Sequence, residues 1–172
     1  LMAAYQNSTE DRRFQALLLA DSGASMQNLI KALRKNNFDF TKIKLLGAGF
    51  WDDPALLKIP ELNGALFPGT PPESFTTFNK RFAAMYGYHP VRLASLSYDA
   101  VSLLARISMP SANATIDAAQ IPKTDGYYAP ANNLYRLLPD GTSERKLAIL
   151  QVTPSGFKVV EPASKSFAKP GE

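Results

Sequence analysis

Two short stretches carry side chains whose types and positions suit chemistry. "ADSGAS", residues 20–25, sets Asp21, Ser22 and Ser25 where an apolar run gives way to a helix-like pattern. "LLGAGFWDDP", residues 45–54, runs a second apolar segment into Phe50, Trp51, Asp52 and Asp53, and Trp51 is the only tryptophan in the chain. Two readings stand side by side for each. Free N–H groups at the helix start after Asp21 suit an anion, or Ser22 or Ser25 simply caps that helix. The Phe50–Asp53 stretch touches a ligand, or Asp52 or Asp53 caps a short "PALLK" helix with Pro54 at its first position and Trp51 packs its ring beside it. Asp21 and Asp52 also have the oxygen chemistry to hold a magnesium ion between strand ends, which defines a metal-dependent hydrolase as a third class.

Several kinds of chemistry lack their residues. The chain has no cysteine, which removes disulfides, thiolate metal sites and a cysteine nucleophile. Its one histidine, His89, lies in "YGYHPVR" between tyrosines and a proline, a loop context. No phosphate loop, GxSxG elbow or HExxH helix occurs. Gly47-Ala48-Gly49 lacks the third glycine and the following helix of a dinucleotide fingerprint. No cofactor is expected.

The elements that must position these residues follow from periodicity. "FQALLLADSG", residues 14–23, is short, apolar and ended by Asp, Ser and Gly, as expected of a strand buried on both faces. Met26, Leu29, Ile30 and Leu33 then fall at i, i+3, i+4 and i+7, one apolar helical stripe. Arg34 and Lys35 suit the negative end of that helix, and Asn36-Asn37 closes it. "KIKLLGAGF" and "LNGALFPG" are a second and third apolar run, so the order predicts a parallel α/β layer. In such a sheet ligands sit beyond the carboxyl ends of the strands, where Asp21–Ser25 and Phe50–Asp53 both lie. After Gly69 the pattern changes. Phe75, Phe78, Phe82 and Tyr86 mark one helix. Leu93, Leu96, Ala100, Leu103, Leu104 and Ile107 mark another. "MPSANATIDAAQIP" reads as a loop with a short helix. Pro139-Asp140-Gly141-Thr142 is a turn between two strands, and Ser155-Gly156 turns into "FKVV". The tail "EPASKSFAKPGE" reads as a frayed end.

The 172 residues and 45% apolar content fit one domain of ordinary size. No apolar run approaches the roughly 18 residues of a membrane span. A signal peptide, if one exists, lies outside this stretch. The net charge is +4, with cations scattered rather than interleaved with aromatic residues, so nucleic acid is not an expected partner.

"FQALLLADSGASMQNLIKALRKNNFD", "KLLGAGFWDDPAL", "LNGALFPG", "FNKRFAAMYGYHPVRLASLSYDAVSLLARI" and "LYRLLPDGTSERKLAILQV" occur in that order. Together they resemble the C-terminal half of a type I periplasmic binding protein. The nearest branch is similar to the leucine/isoleucine/valine-binding proteins of ABC transporters, and penicillin-binding protein activator lipoproteins share the fold. The resemblance implies an α/β class, a three-layer α/β/α parallel-sheet lobe with a C-terminal β hairpin. It divides the chain into residues 1–70, part of the second lobe; 71–162, crossover helices and hairpin of the hinge and first lobe; and a flexible tail, 163–172. It implies a periplasmic, non-enzymatic protein that binds an amino acid or similar small polar ligand between two lobes. Its partner would be a membrane permease or, in the activator alternative, a peptidoglycan synthase. A lipid anchor would lie in a missing N-terminal segment. Phe50, Trp51, Asp52, Ser22 and Asp21 are then the ligand-binding candidates, with Trp51 as an aromatic wall and Asp52 as counter-ion to an ammonium. Such a half chain is expected to self-associate through its apolar helices and to bind free amino acids weakly.

Overall fold

Parallel strands need a long crossover between them, and the chain supplies a helix for the first one. In the computed structural model, which describes residues 14–109, 116, 118–122 and 125–168, β1 (Ala16–Leu19) leads into α1 (Gly23–Lys35), then β2 (Lys44–Gly47) and β3 (Leu66–Gly69). β1 and β2 run parallel in the register Ala16↔Lys44 to Leu19↔Gly47, and β2 pairs with β3 in parallel at Leu46↔Leu66. β7 (Ala148–Thr153) and β8 (Gly156–Glu161) return to this sheet and give the order β1-β2-β3-β7-β8. The chain divides accordingly. One unit takes the residues up to Gly69 and Ile149–Val160; the other takes Thr70–Ala148 and the residues from Glu161 on. β7 and β8, which fall within the span 71–162 expected on the hinge side, both complete the first sheet, where the free edge of β3 needs a partner for its backbone groups.

In the first unit α1 buries Met26, Ile30 and Leu33, and Arg34 and Lys35 lie in its last turn. Asn36 is its C-cap and Asn37 follows at φ 56°. The strands alternate. Leu17, Leu19, Leu45, Phe67, Leu150 and Val152 are buried, and a ring series links Trp51 to Phe67 (6.1 Å between centroids) and Phe67 to Phe157 (5.1 Å, edge-on). One expectation changes here. β1 is buried on one face only, and Leu18 is 62% exposed, because β1 is the edge strand and its burial follows the period of two.

The second unit holds α2 (Pro72–Tyr86), α3 (Ala94–Ser108) and an antiparallel sheet, β4 (Tyr127–Ala129), β5 (Asn133–Leu137) and β6 (Ser143–Arg145), in that order. Gly87, at φ 76°, ends α2 and returns its N–H to the Ala83 carbonyl, a conformation that favours glycine. Asp140 builds the β5–β6 turn by accepting from both the N–H and the hydroxyl of Thr142, at 2.9 and 2.7 Å. The buried stripe of α3 is Ser95, Asp99, Leu103 and Ile107, with Leu96 and Leu104 exposed, an offset from the stripe expected from leucine spacing. Residues 163–168, expected to fray, are fastened to this unit. The Phe167 ring lies 4.4 Å from the Arg136 guanidinium carbon, and the Tyr128 hydroxyl donates to the Lys165 carbonyl. Of the expected loop with a short helix, Ala118–Gln120 forms one tight turn; residues 110–115 and 117 lie outside the described residues.

Candidate functional site

Parallel pairing of Leu19 with Gly47 brings the carboxyl ends of β1 and β2 side by side. The segments that follow, Ala20–Ser22 and Gly49–Asp53, therefore share one rim of the first unit. The second is a single 3₁₀ turn, Gly49–Trp51, closed by the Trp51 N–H donating to the Ala48 carbonyl at 2.9 Å. A 3₁₀ turn advances three residues per revolution, so neighbouring side chains leave it in different directions. Phe50 is 51% exposed, and Trp51 has no accessible surface.

The buried indole ties the rim together. Its Nε1–H donates to the Asp21 backbone carbonyl at 3.0 Å, from one strand-end segment to the other. The ring lies over Gly47, and a β-carbon built there would fall inside the indole, so glycine is the residue that lets the ring in. The expected role of Trp51 as ligand wall is corrected by this burial. The indole is a buried tie, and Phe50 is the aromatic residue of this loop that meets solvent.

Asp21 stitches the first turn of α1. One carboxylate oxygen accepts the Ser22 N–H at 2.8 Å and the other the Ser25 hydroxyl at 2.6 Å. The Ser25 bond first, and the Ser22 bond second, hold this carboxyl below its usual range, so it stays ionised at neutral pH. Ser22 is the N-cap by backbone conformation and makes no capping bond with its side chain. Asp53 is the cap of the next turn: its Oδ1 accepts the Ala55 N–H at 2.9 Å, with Pro54 at the first helical position. Asp52 stands between them, half-buried. The rim therefore presents a phenyl ring, the Ser22 hydroxyl and a concentration of carboxylate charge.

For a metal or a nucleophile the arrangement is thinner. Among the described residues no three His, Cys, Asp or Glu side chains come together. His89, in the second unit, shares a hydrogen bond with Asn79 at 2.9 Å, as a loop residue would. Sequence reading missed Asp99. Buried in the second unit, it accepts from the Ala131 N–H at 3.0 Å and from the Asn132 amide, and Asn132 is also bonded to Ser95. The signal available was a polar pair, Ser95 and Asp99, at i, i+4 with Leu103.

No family model matches the chain, and no curated protein does. Solved structures do. A branched-chain amino acid ABC transporter protein from Rhodospirillum rubrum, described as putative, superposes with a TM-score of 0.64 at 20% identity, covering 85% of this chain and 44% of that one. The leucine-binding protein LivK of Thermotoga maritima gives 0.59 at 17% identity, over 87% and 44%. The substrate-binding protein LivJ of Streptococcus pneumoniae, solved with isoleucine, gives 0.59 at 14% identity, over 94% and 47%. The chain has the mixed α/β fold of these periplasmic binding proteins and spans less than half the length of each.

Proposed function

We propose that this chain works as part of a periplasmic solute-binding protein that delivers an amino acid or a similar small polar molecule to an ABC transporter. The observation that carries the reading is the Trp51–Asp21 tie, which fixes the two strand-end segments as one pre-formed rim in a fold that solved solute-binding proteins also use. In this reading Phe50 contacts the apolar part of the ligand. Asp52 faces its ammonium. Asp21 and Ser22 supply polar contacts at the helix start, and Trp51 holds the rim in register without touching the ligand. A rim built in advance lowers the ordering cost of binding. The membrane permease is the partner this reading implies.

The test is a thermal-shift and calorimetric screen of amino acids on the intact protein that carries both lobes, with Phe50→Ala and Asp52→Asn beside the wild type. A true ligand at about 100 times its Kd should stabilise the protein by roughly 2.7 kcal/mol. Asp52→Asn should weaken it about tenfold or more. A panel in which nothing shifts the midpoint, or variants that bind as the wild type does, would remove the reading.

A further inference from the structure

The first unit carries a second concave feature, on the flank of α1. A groove of about 220 Å³ runs between that helix and the end of the Pro54–Lys58 turn. Gln27, Ile30, Lys31 and Arg34 form one wall, spaced i, i+3, i+4 and i+7 on one face of the helix. Lys58, Ile59 and Pro60 form the other. α1 begins at the rim and runs away from it, so Arg34 lies about 16 Å along the axis from the first helical residue. The groove is therefore separate from the rim. Ile30 and Ile59 are buried beneath it, while Lys31, Arg34, Lys58 and Pro60 are exposed around it.

Its charge is one-sided. Three cations line it and no carboxylate does. Arg34 is already engaged, for its Nε and Nη2 both approach one Glu61 carboxylate oxygen. Setting Glu61 against Arg34 leaves Lys31 and Lys58, one on each wall, and among the described residues neither side chain enters an ion pair. An anion between two like charges relieves their repulsion and is attracted by both. The rest of the lining selects among anions. The isoleucines and the lysine stems call for apolar atoms beside the charge, which free phosphate lacks. No aromatic ring lines the groove, so an unstacked base has no platform. Two free cations in a concave groove fall short of the roughly four to eight that hold a protein to a flat anionic membrane. Exposed walls would also leave much of a small ligand in water. An extended peptide suits the shape: about three residues span the ~10 Å of helix from Gln27 to Arg34. Its alternate side chains point to opposite faces, apolar ones down to Ile30 and Ile59 and acidic ones up to the exposed lysine heads.

We propose that this groove is a docking surface for an extended acidic segment of a partner protein, its carboxylates at Lys31 and Lys58 and its aliphatic side chains over Ile30 and Ile59. The probe is a short end-blocked peptide of alternating glutamate and valine. It is titrated into the 172-residue chain while the resonances of residues 27–34 and 58–60 are followed by nuclear magnetic resonance. The same peptide with glutamine in place of glutamate is the uncharged control. Saturable shifts with the glutamate peptide, weakened by added salt, and none with the glutamine peptide are expected. Lys31→Gln and Lys58→Gln should each weaken binding about threefold, and the two together about tenfold. Both lysines are exposed and outside any ion pair, so the variants keep the fold. Absence of saturation, equal response to the glutamine peptide, or wild-type affinity in the double variant would overturn the proposal. So would inorganic phosphate or phosphatidylglycerol vesicles that shift the same resonances and displace the peptide, since those results would assign the groove to a free anion or to a membrane.

Discussion

Trp51 donates its indole N–H to Asp21 and fills the space over Gly47, so the missing side chain of Gly47 is part of how the rim is built. Gly47→Ala forces a methyl into the ring's position in a packed interior. It should cost about 3 kcal/mol or more, read from chemical denaturation followed by circular dichroism; a loss under about 1 kcal/mol would mean the indole can leave its seat freely. Asp21 makes a prediction in pH. Its folded pKa lies below the unfolded value of about 3.9. The stability it contributes is therefore present above that value and lost as pH falls through the folded pKa. Acid titration of the thermal midpoint should show the wild type falling more steeply than Asp21→Asn below about pH 4; parallel curves would refute the stitch. Asp39 and Asp140 are lowered in the same sense by their Thr41 and Thr142 bonds, so only the difference between the two curves isolates Asp21. The place of this site was legible, because apolar runs end at Asp21 and Phe50. The directions of its side chains were not. Phe50 outward and Trp51 inward follows from the 3₁₀ turn, and no propensity in "GAGFWDD" specifies that turn.

α1 and the β5–β6 turn were readable because each is specified locally, by an apolar stripe or by turn chemistry. β7 and β8 joining the first sheet, and β1 standing at its edge, depend on pairings between distant segments that periodicity does not encode. α3 shows the remaining failure. Leucine spacing put its buried face through Leu96 and Leu104, whereas the true face carries Ser95 and Asp99, made tolerable by Ala131 and Asn132. This gives Asp99 an expected weight. Asp99→Ala leaves the Ala131 N–H and the Asn132 amide without their acceptor, at about 1–3 kcal/mol for each group. A total loss of roughly 3 kcal/mol is expected in urea denaturation, with Asp99→Asn in between. Wild-type stability in Asp99→Ala would show that water replaces the carboxylate.

The two units leave apolar surface open. Phe78, Leu103 and Ile107, expected at a self-association face, are buried in the second unit, while Leu93, Leu96, Val101, Leu104 and Met85 are exposed on it. In the first unit Leu18 is exposed on the register line that joins it to Leu46 and Leu66. Exposed apolar area of more than a few hundred Å² seldom persists in a monomer. The 172-residue chain is therefore expected to associate with itself as concentration rises, and Val101→Lys with Leu104→Lys should weaken that association in light scattering. A monodisperse monomer at all concentrations would defeat the expectation. The order of elements along the chain was legible at this scale; which apolar faces stay uncovered was not, because it depends on how non-local strands share the core.

The placement of Trp51 has one more consequence. Among the described residues the only indole belongs to the first unit, and the tyrosines, Tyr86, Tyr88, Tyr98, Tyr127, Tyr128 and Tyr135, all belong to the second. Among the described residues the two chromophores are therefore sorted by unit. Indole emission excited at the red edge of its absorption band reports the first unit alone, and phenol absorbance, to which six of the seven tyrosines contribute from the second unit, is weighted toward the second. With no accessible surface, Trp51 should emit toward the blue and resist aqueous quenchers until the first unit opens. Heating the chain while recording both signals would show, without any label, whether the two units melt together or one after the other.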